Sequence, residues 1–247
     1  MARLPARSAG VIAVPLSLAG CAGLAPDCSA GLDLASKYVA RGAVLFDGPA
    51  LQPALSASVE QGEGTWTAGA WSTVDADDQG GNRGHFTEVD LYVEHERSLG
   101  PFTATFGLLR YEYPNTGFAA SGEVHAALGC EWEVATPTFH LWYDFEQADG
   151  AYLDLELARS IDLAEHWSLE LSASAGWMDS GQGGYYFGVE EEGFSDLTTT
   201  ARLACAASES LGLALTVGFS RVLDGQYRDA VDHADNAWVM VGAELGF

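Results

Sequence analysis

The sequence predicts an all-β protein: a single antiparallel transmembrane β-barrel of about twelve strands, after an N-terminal signal segment. Three observations carry this. First, Ala237–Phe247 alternates, with Ala237, Val239, Val241, Ala243, Leu245 and Phe247 on one face and Trp238, Met240, Gly242, Glu244 and Gly246 on the other, the period of a strand. An apolar strand ending on an aromatic is an aggregation hazard at an open sheet edge; in a closed barrel it pairs with the first strand and meets lipid. Second, the composition joins opposites: 35 Asp+Glu against 11 Lys+Arg, a net charge of −24, yet 48% hydrophobic residues and 29 glycines. Such acidity excludes a nucleic-acid partner, and such hydrophobicity excludes an acidic disordered chain. Third, the connections between predicted strands alternate between short and long, as tight periplasmic turns and longer outer loops would.

The chain opens with a targeting segment. Arg3 and Arg7 form a basic n-region and Ser8–Gly20 an apolar h-region. Two exits are open. Leu18–Cys21 reads as a lipobox, making Cys21 the lipidation candidate, and Cys28-Ser29-Ala30 offers an ordinary cleavage site. The expected division is residues 1–30 as signal and 31–247 as barrel. Cys130 and Cys205 fall on non-neighbouring strands as small lipid-facing residues, and Cys28 falls with the leader. No Cys-x-x-Cys pattern exists, so no metal or cofactor is expected.

Twelve strands follow in order. The first is Leu32–Phe46, with Lys37 and Arg41 on one face. Gln52–Glu60 and Thr65–Val74 come next, joined across Gln61–Gly64. Phe86–Leu99 is the clearest, with Val89, Leu91 and Val93 outward and Glu88, Asp90, Tyr92, Glu94 and Glu96 inward. Pro101–Tyr113 and Gly122–Glu133 follow, the latter with Glu123, His125, Glu131 and Glu133 inward. Thr138–Glu146 places His140, Trp142, Asp144 and Glu146 inside, and Ala151–Arg159 places Asp154 and Glu156 there. Trp167–Met178 carries Glu170 inward. Asp196–Ala207 carries Arg202 inward, and Leu211–Phe219 and the terminal strand complete the set.

The long connections are Asp75–His85, Pro114–Ser121, Asp179–Ser195 and Arg221–Asn236, with two short exceptions near Gly48 and Gly150. An even strand number puts both termini on the periplasmic side. Tyr111, Tyr113 and Trp177 at upper strand ends and Trp132 and Trp167 at lower ends fit interfacial girdles. Arg97 and Arg159 point outward at lower ends, within reach of lipid phosphate. Arg110 has outward parity near the outer rim.

Leu34–Gln52 (LASKYVARGAVLFDGPALQ), TWTAGAWSTVD, Glu88–Tyr92, Leu108–Pro114 (LLRYEYP) and the strand opening at Glu123 resemble the TorF-type porins, conserved hypothetical barrels of bacterial outer membranes. The resemblance covers most of the chain after the leader and is best in its first half; the lipobox and the two barrel cysteines depart from it. It implies a barrel and a pore, and supplies no catalytic residues.

The pore-lining candidates are Lys37, Arg41, Glu88, Asp90, Glu94, Glu96, Glu123, His125, Glu131, His140, Asp144, Glu146, Asp154, Glu156, Glu170, Arg202 and Glu244. They describe a wet, acidic lumen, which concentrates cations. The expectation is a porin-like barrel passing small cationic or neutral solutes. The alternative is a non-conducting barrel with a structural or surface role, its interior filled by side chains. An outer-membrane hydrolase comes third, because no histidine has a plausible Ser and acid beside it on the lipid face. Expected partners are outer-membrane lipid, small solutes and the barrel-assembly machinery, met through the last strand and Phe247. The acids of the long loops are read as solvated, and Asp179–Ser195, rich in glycine, could fold inward as a constriction.

Overall fold

The computed structural model describes residues 26–78 and 81–247. Twelve strands close into one antiparallel barrel: β1 (Asp27–Ala35), β4 (Ala50–Gln61), β5 (Gly64–Asp75), β6 (Phe86–Leu99), β7 (Phe102–Glu112), β8 (Ser121–Cys130), β9 (Thr136–Asp144), β10 (Gly150–Ala164), β11 (Trp167–Met178), β12 (Gly193–Ala206), β13 (Leu211–Val222) and β14 (Asp235–Gly246). Each pairs with its sequence neighbours, and β1 closes the ring on β14. A separate hairpin, β2 (Tyr38–Ala40) and β3 (Ala43–Phe46), lies between β1 and β4, and short helices α1 (Ser180–Phe187) and α2 (Gly225–Ala230) lie in the last two long loops.

The predicted parity holds along the strands. Leu55, Phe106 and Val241 are 60%, 64% and 56% exposed, part of an apolar outer surface far beyond what a soluble monomer shows. Inward positions alternate large with small side chains. A Cβ on Gly218 would lie 2.2 Å from the Trp238 ring, and one on Gly69 would lie 2.4 Å from the Tyr92 hydroxyl.

The first predicted strand is corrected. β1 stops at Ala35, and residues 36–49 turn back as the β2–β3 hairpin. The connection near Gly48, expected to be short, is therefore long. The barrel also begins earlier than residue 31. Asp27–Ala30 pairs with Ser58–Leu55 of β4, and the Cys28 and Phe247 backbones exchange N–H···O bonds of 3.1 and 2.9 Å. Cys28 thus lies on β1; Cys130 and Cys205 face outward, and the three are free thiols. Residues 1–25, with Cys21 and the lipobox, lie outside the described residues.

The hydrophobic core of this molecule sits inside the barrel, at its long-loop end. Ala43 of the hairpin, Tyr152, Met178, Phe187 of α1, Val222 and Tyr227 of α2 are buried together, with Trp142 and Tyr186 against them. Phe187 and Tyr227 stack at 4.7 Å. With three glycines in eight residues, α1 is a poor helix former, so its geometry is imposed from outside. Asp179 caps its first turn by accepting from Gln182 N at 3.0 Å, and its other carboxylate oxygen accepts from Ala151 N at 2.7 Å. Gly188 ends it in the left-handed region at φ 69°.

Candidate functional site

The site is the barrel interior, and its long-loop half is crossed by the hairpin. β2 and β3 meet at Arg41 and Gly42, both left-handed (φ 49° and 82°). The turn reaches into the lumen as far as β12, where a Cβ on Gly42 would sit 2.7 Å from Asp196 Cβ. Arg41, also at this tip, spans from the β1–β4 side to β8. Its Nη1 and Nη2 donate to Glu123 Oε1 and Oε2 at 2.7 and 2.8 Å, and Nη1 also donates to Gln182 Oε1 of α1 at 3.2 Å. The guanidinium carbon lies 4.8 Å from the Tyr152 ring centroid and 5.5 Å from those of Trp142 and Tyr186. Burial works against the charge on Arg41, but Glu123, Tyr186 and the hydrogen bonds to Glu123 outweigh it and hold the guanidinium charged. Glu123 is 1% exposed and also accepts from Tyr111 Oη at 2.6 Å. At the root of the hairpin, Lys37 meets Asp47 at 2.7 Å and donates to Asn236 at 3.2 Å. Tyr38 packs on Trp71 at 5.3 Å.

Below the tip lies a layer of buried polar groups. His125 Nε2 and His140 Nδ1 are 3.3 Å apart, their rings nearly parallel, and Trp142 stacks on His125 at 3.7 Å. His125 Nδ1 lies 3.5 Å from Glu94 Oε1, outside hydrogen-bond geometry. Asp90, Asp154 and Glu156 are at most 8% exposed on the same inner wall. Among the described residues, Asp90 Oδ1, Asp154 Oδ1 and His140 Nε2 are buried with no hydrogen-bond partner in the structure, which costs free energy unless water reaches them. Toward the short-turn end the interior opens into a cavity of about 260 Å³ lined by Asp33, Trp71, Glu170, Arg202, Met240 and Glu244. There Arg202 Nη1 donates to both oxygens of Glu170 at 3.0 and 3.1 Å.

Most of the sequence-predicted lining residues fall on this inner wall: Glu88, Asp90, Glu94 and Glu96 on β6, Glu123 and His125 on β8, His140 and Asp144 on β9, Asp154 and Glu156 on β10, and Glu170, Arg202 and Glu244 on β11, β12 and β14. Arg41 is inside but on the hairpin, and Lys37 stands at the rim. Two assignments are corrected. Glu131 lies past the end of β8, exposed in the turn, and Glu146 lies past the end of β9, exposed on the rim, where it accepts from the outward-facing Arg110 at 2.7 Å. Parity was carried past the strand ends in both cases. Arg110 is held between Glu146 and Glu112, which explains its outward position. Arg97 pairs with Glu63 beside the β4–β5 turn. Sequence reasoning missed the aromatic cage of Trp142, Tyr152 and Tyr186, and Gln182. Only the inward parity of Trp142 beside His140 hinted at it. Among the described residues, no cluster of three or more His, Cys, Asp or Glu side chains is arranged to hold a metal ion.

A closed twelve-stranded antiparallel barrel, apolar outside and polar within, is the fold of outer-membrane channels. Solved structures agree. The COG4313 outer membrane channel from Pseudomonas putida F1 superposes with a TM-score of 0.55 at 8% identity, over 92% of this chain and 97% of that one. The KdgM porin superposes with a TM-score of 0.51 at 8% identity, over 89% and 99%. At that identity the likeness shows the fold alone. The chain belongs to the Gcw_chp family, bacterial proteins of unknown function, whose model matches residues 22–222. No curated protein matches it.

Proposed function

We propose that this chain is an outer-membrane diffusion channel of the porin kind, held shut by its own β2–β3 hairpin, that passes small cationic or neutral solutes when the hairpin leaves the lumen. The observation that carries the reading is the charge on the inner wall. Glu88, Asp90, Glu94, Glu123, Asp144, Asp154, Glu156 and Asp196 face the interior, against Arg41, Arg202 and, at the rim, Lys37 among the described residues. A low-dielectric wall around one sign of charge gathers counter-ions. The resemblance to TorF-type porins supports the pore. In this reading the long loops face outward, the N-terminal segment acts as the export leader, with Cys21 at its lipobox exit as the lipidation candidate, and β14 with Phe247 engages the assembly machinery.

The same hairpin favours a second reading, a barrel that never conducts and serves as a structural or surface protein. A shortened chain separates them. Ala35 and Ala50 are directly paired, so residues 36–49 can be replaced by Asn-Gly, a two-residue hairpin turn. Liposomes carrying the shortened barrel should swell in lysine and in small sugars, faster than in gluconate, whereas the full chain should swell them little. A shortened barrel that shows heat-modifiable migration yet swells no liposome would favour the filled, structural barrel.

A further inference from the structure

We propose that the cage around Arg41 is a recognition site for small organic cations bearing a guanidinium group, and that Arg41 is its tethered occupant. This deepens the channel reading by naming a solute class, and rests on that reading only for its transport consequence.

The cage matches a guanidinium in three ways. Glu123 presents both carboxylate oxygens to two different nitrogens, at 2.7 and 2.8 Å, a fork that an ammonium cannot fill. The Gln182 amide oxygen takes a further N–H at 3.2 Å. Three rings, Trp142, Tyr152 and Tyr186, surround the cation within 5.5 Å of its carbon, the environment that attracts a weakly hydrated planar cation. The wall residues belong to β8, β9 and β10 and to α1, so the cage survives when the hairpin departs.

The occupant, by contrast, is held in a way that favours exchange. Arg41 is a non-glycine residue in the left-handed region at φ 49°, a conformation that costs energy each time the hairpin seats. As a tethered ligand it competes at an effective concentration on the order of millimolar, so a free guanidinium compound at comparable concentration displaces it. The displaced hairpin leaves the lumen, and the solute enters a path lined by acids.

The test is equilibrium dialysis of agmatine against folded barrel in detergent. Arg41→Ala should bind agmatine with a stoichiometry near one, and Arg41→Ala with Glu123→Gln should bind it about a hundredfold more weakly. Putrescine, equally charged but lacking the planar fork, should bind Arg41→Ala at least about tenfold more weakly than agmatine. In the unmodified protein, agmatine at tens of millimolar should raise amide hydrogen exchange across residues 38–46, a readout that needs no variant to fold. The proposal is overturned if heat-modifiable Arg41→Ala binds no agmatine, if the Glu123→Gln change leaves binding intact, or if hairpin exchange is indifferent to agmatine. Failure here with a conducting shortened barrel would remove the cage as a site and leave the channel. Agmatine binding with a silent shortened barrel would do the reverse.

Discussion

Replacing Arg41 by alanine should unseat the hairpin while leaving the barrel closed. The side chain supplies two charge-assisted bonds to Glu123 at 2.7 and 2.8 Å and one to Gln182 at 3.2 Å. Bonds to charged groups contribute about 1.5–3 kcal/mol each, less when they share one donor group. Ring contacts add about 0.5–2 kcal/mol. Offsetting this is the desolvation of a guanidinium and a carboxylate that is 1% exposed. Removing one partner of such a pair typically costs about 3–5 kcal/mol, because the other is left buried and unpaired. Taking about 3 kcal/mol as the net loss, the ratio of seated to unseated hairpin falls about a hundredfold. Hydrogen exchange followed by mass spectrometry on peptides covering residues 38–46 reads that ratio. Arg41→Ala and Glu123→Gln should each lose protection by a comparable factor, and the double variant should lose little more than either, since both remove one interaction. Peptides from β10 to β13 should not change. Unchanged exchange in 38–46 for Arg41→Ala, or losses that add in the double variant, would refute the pairing as the latch.

Three other predictions follow from separate parts of the structure. Lowering the pH should loosen the hairpin root. The hydrogen bond and charge from Lys37 hold Asp47 below the ordinary carboxylate pKa of about 3.9, so its contribution is present above that value and is lost as pH falls through the lower folded value. Asp47→Asn should remove that part of the acid-induced rise in exchange at residues 36–40. Asp179→Ala should destabilise α1 by about 1–2 kcal/mol through loss of its cap and of the bond from Ala151 N, read as faster exchange in residues 182–187. Leu155→Arg, on the exposed face of β10, should cost about 2–4 kcal/mol if it falls near the bilayer midplane, measured by denaturant unfolding in lipid; a negligible cost would contradict its placement against lipid.

Much of the barrel was legible because lipid-facing strands have the simplest code. β6 and β11 run over Phe86–Leu99 and Trp167–Met178, the bounds the alternation itself marks, with Val89, Leu91 and Val93 outward against Glu88, Asp90 and Glu94 in β6, and Leu169, Leu171, Ala173 and Ala175 outward against Ser168, Glu170, Ser172 and Ser174 in β11. Strand ends were less legible. Glu131 and Glu146 continue the alternation of β8 and β9 as letters, but the ladders stop at Cys130 and Asp144. The hairpin was hidden for a related reason. Its residues are β-formers whose apolar side chains pack inside the barrel, so Tyr38, Val39 and Ala43 read as more of β1. Two signals stood against that. Fifteen residues from Leu32 to Phe46 exceed the roughly 9–11 that a tilted strand needs to cross, and Arg41-Gly42 is turn chemistry at their centre. The cage was legible only as the inward parity of Trp142, because Glu123, Trp142, Tyr152 and Tyr186 lie on four elements that meet only once β8, β9 and β10 pair and α1 folds against them.

The most direct test is the reversal potential of single channels in planar bilayers under a salt gradient, recorded for the full chain and for the barrel with residues 36–49 replaced by a two-residue turn. The structure predicts a full chain that is closed most of the time, and a shortened barrel with steady conductance whose reversal potential has the sign of cation preference. Neutralising Glu88, Asp90 and Asp154 together should shift that potential toward zero. A shortened barrel that prefers anions, or a full chain that conducts as freely as the shortened one, would contradict an acidic lumen closed by its own hairpin.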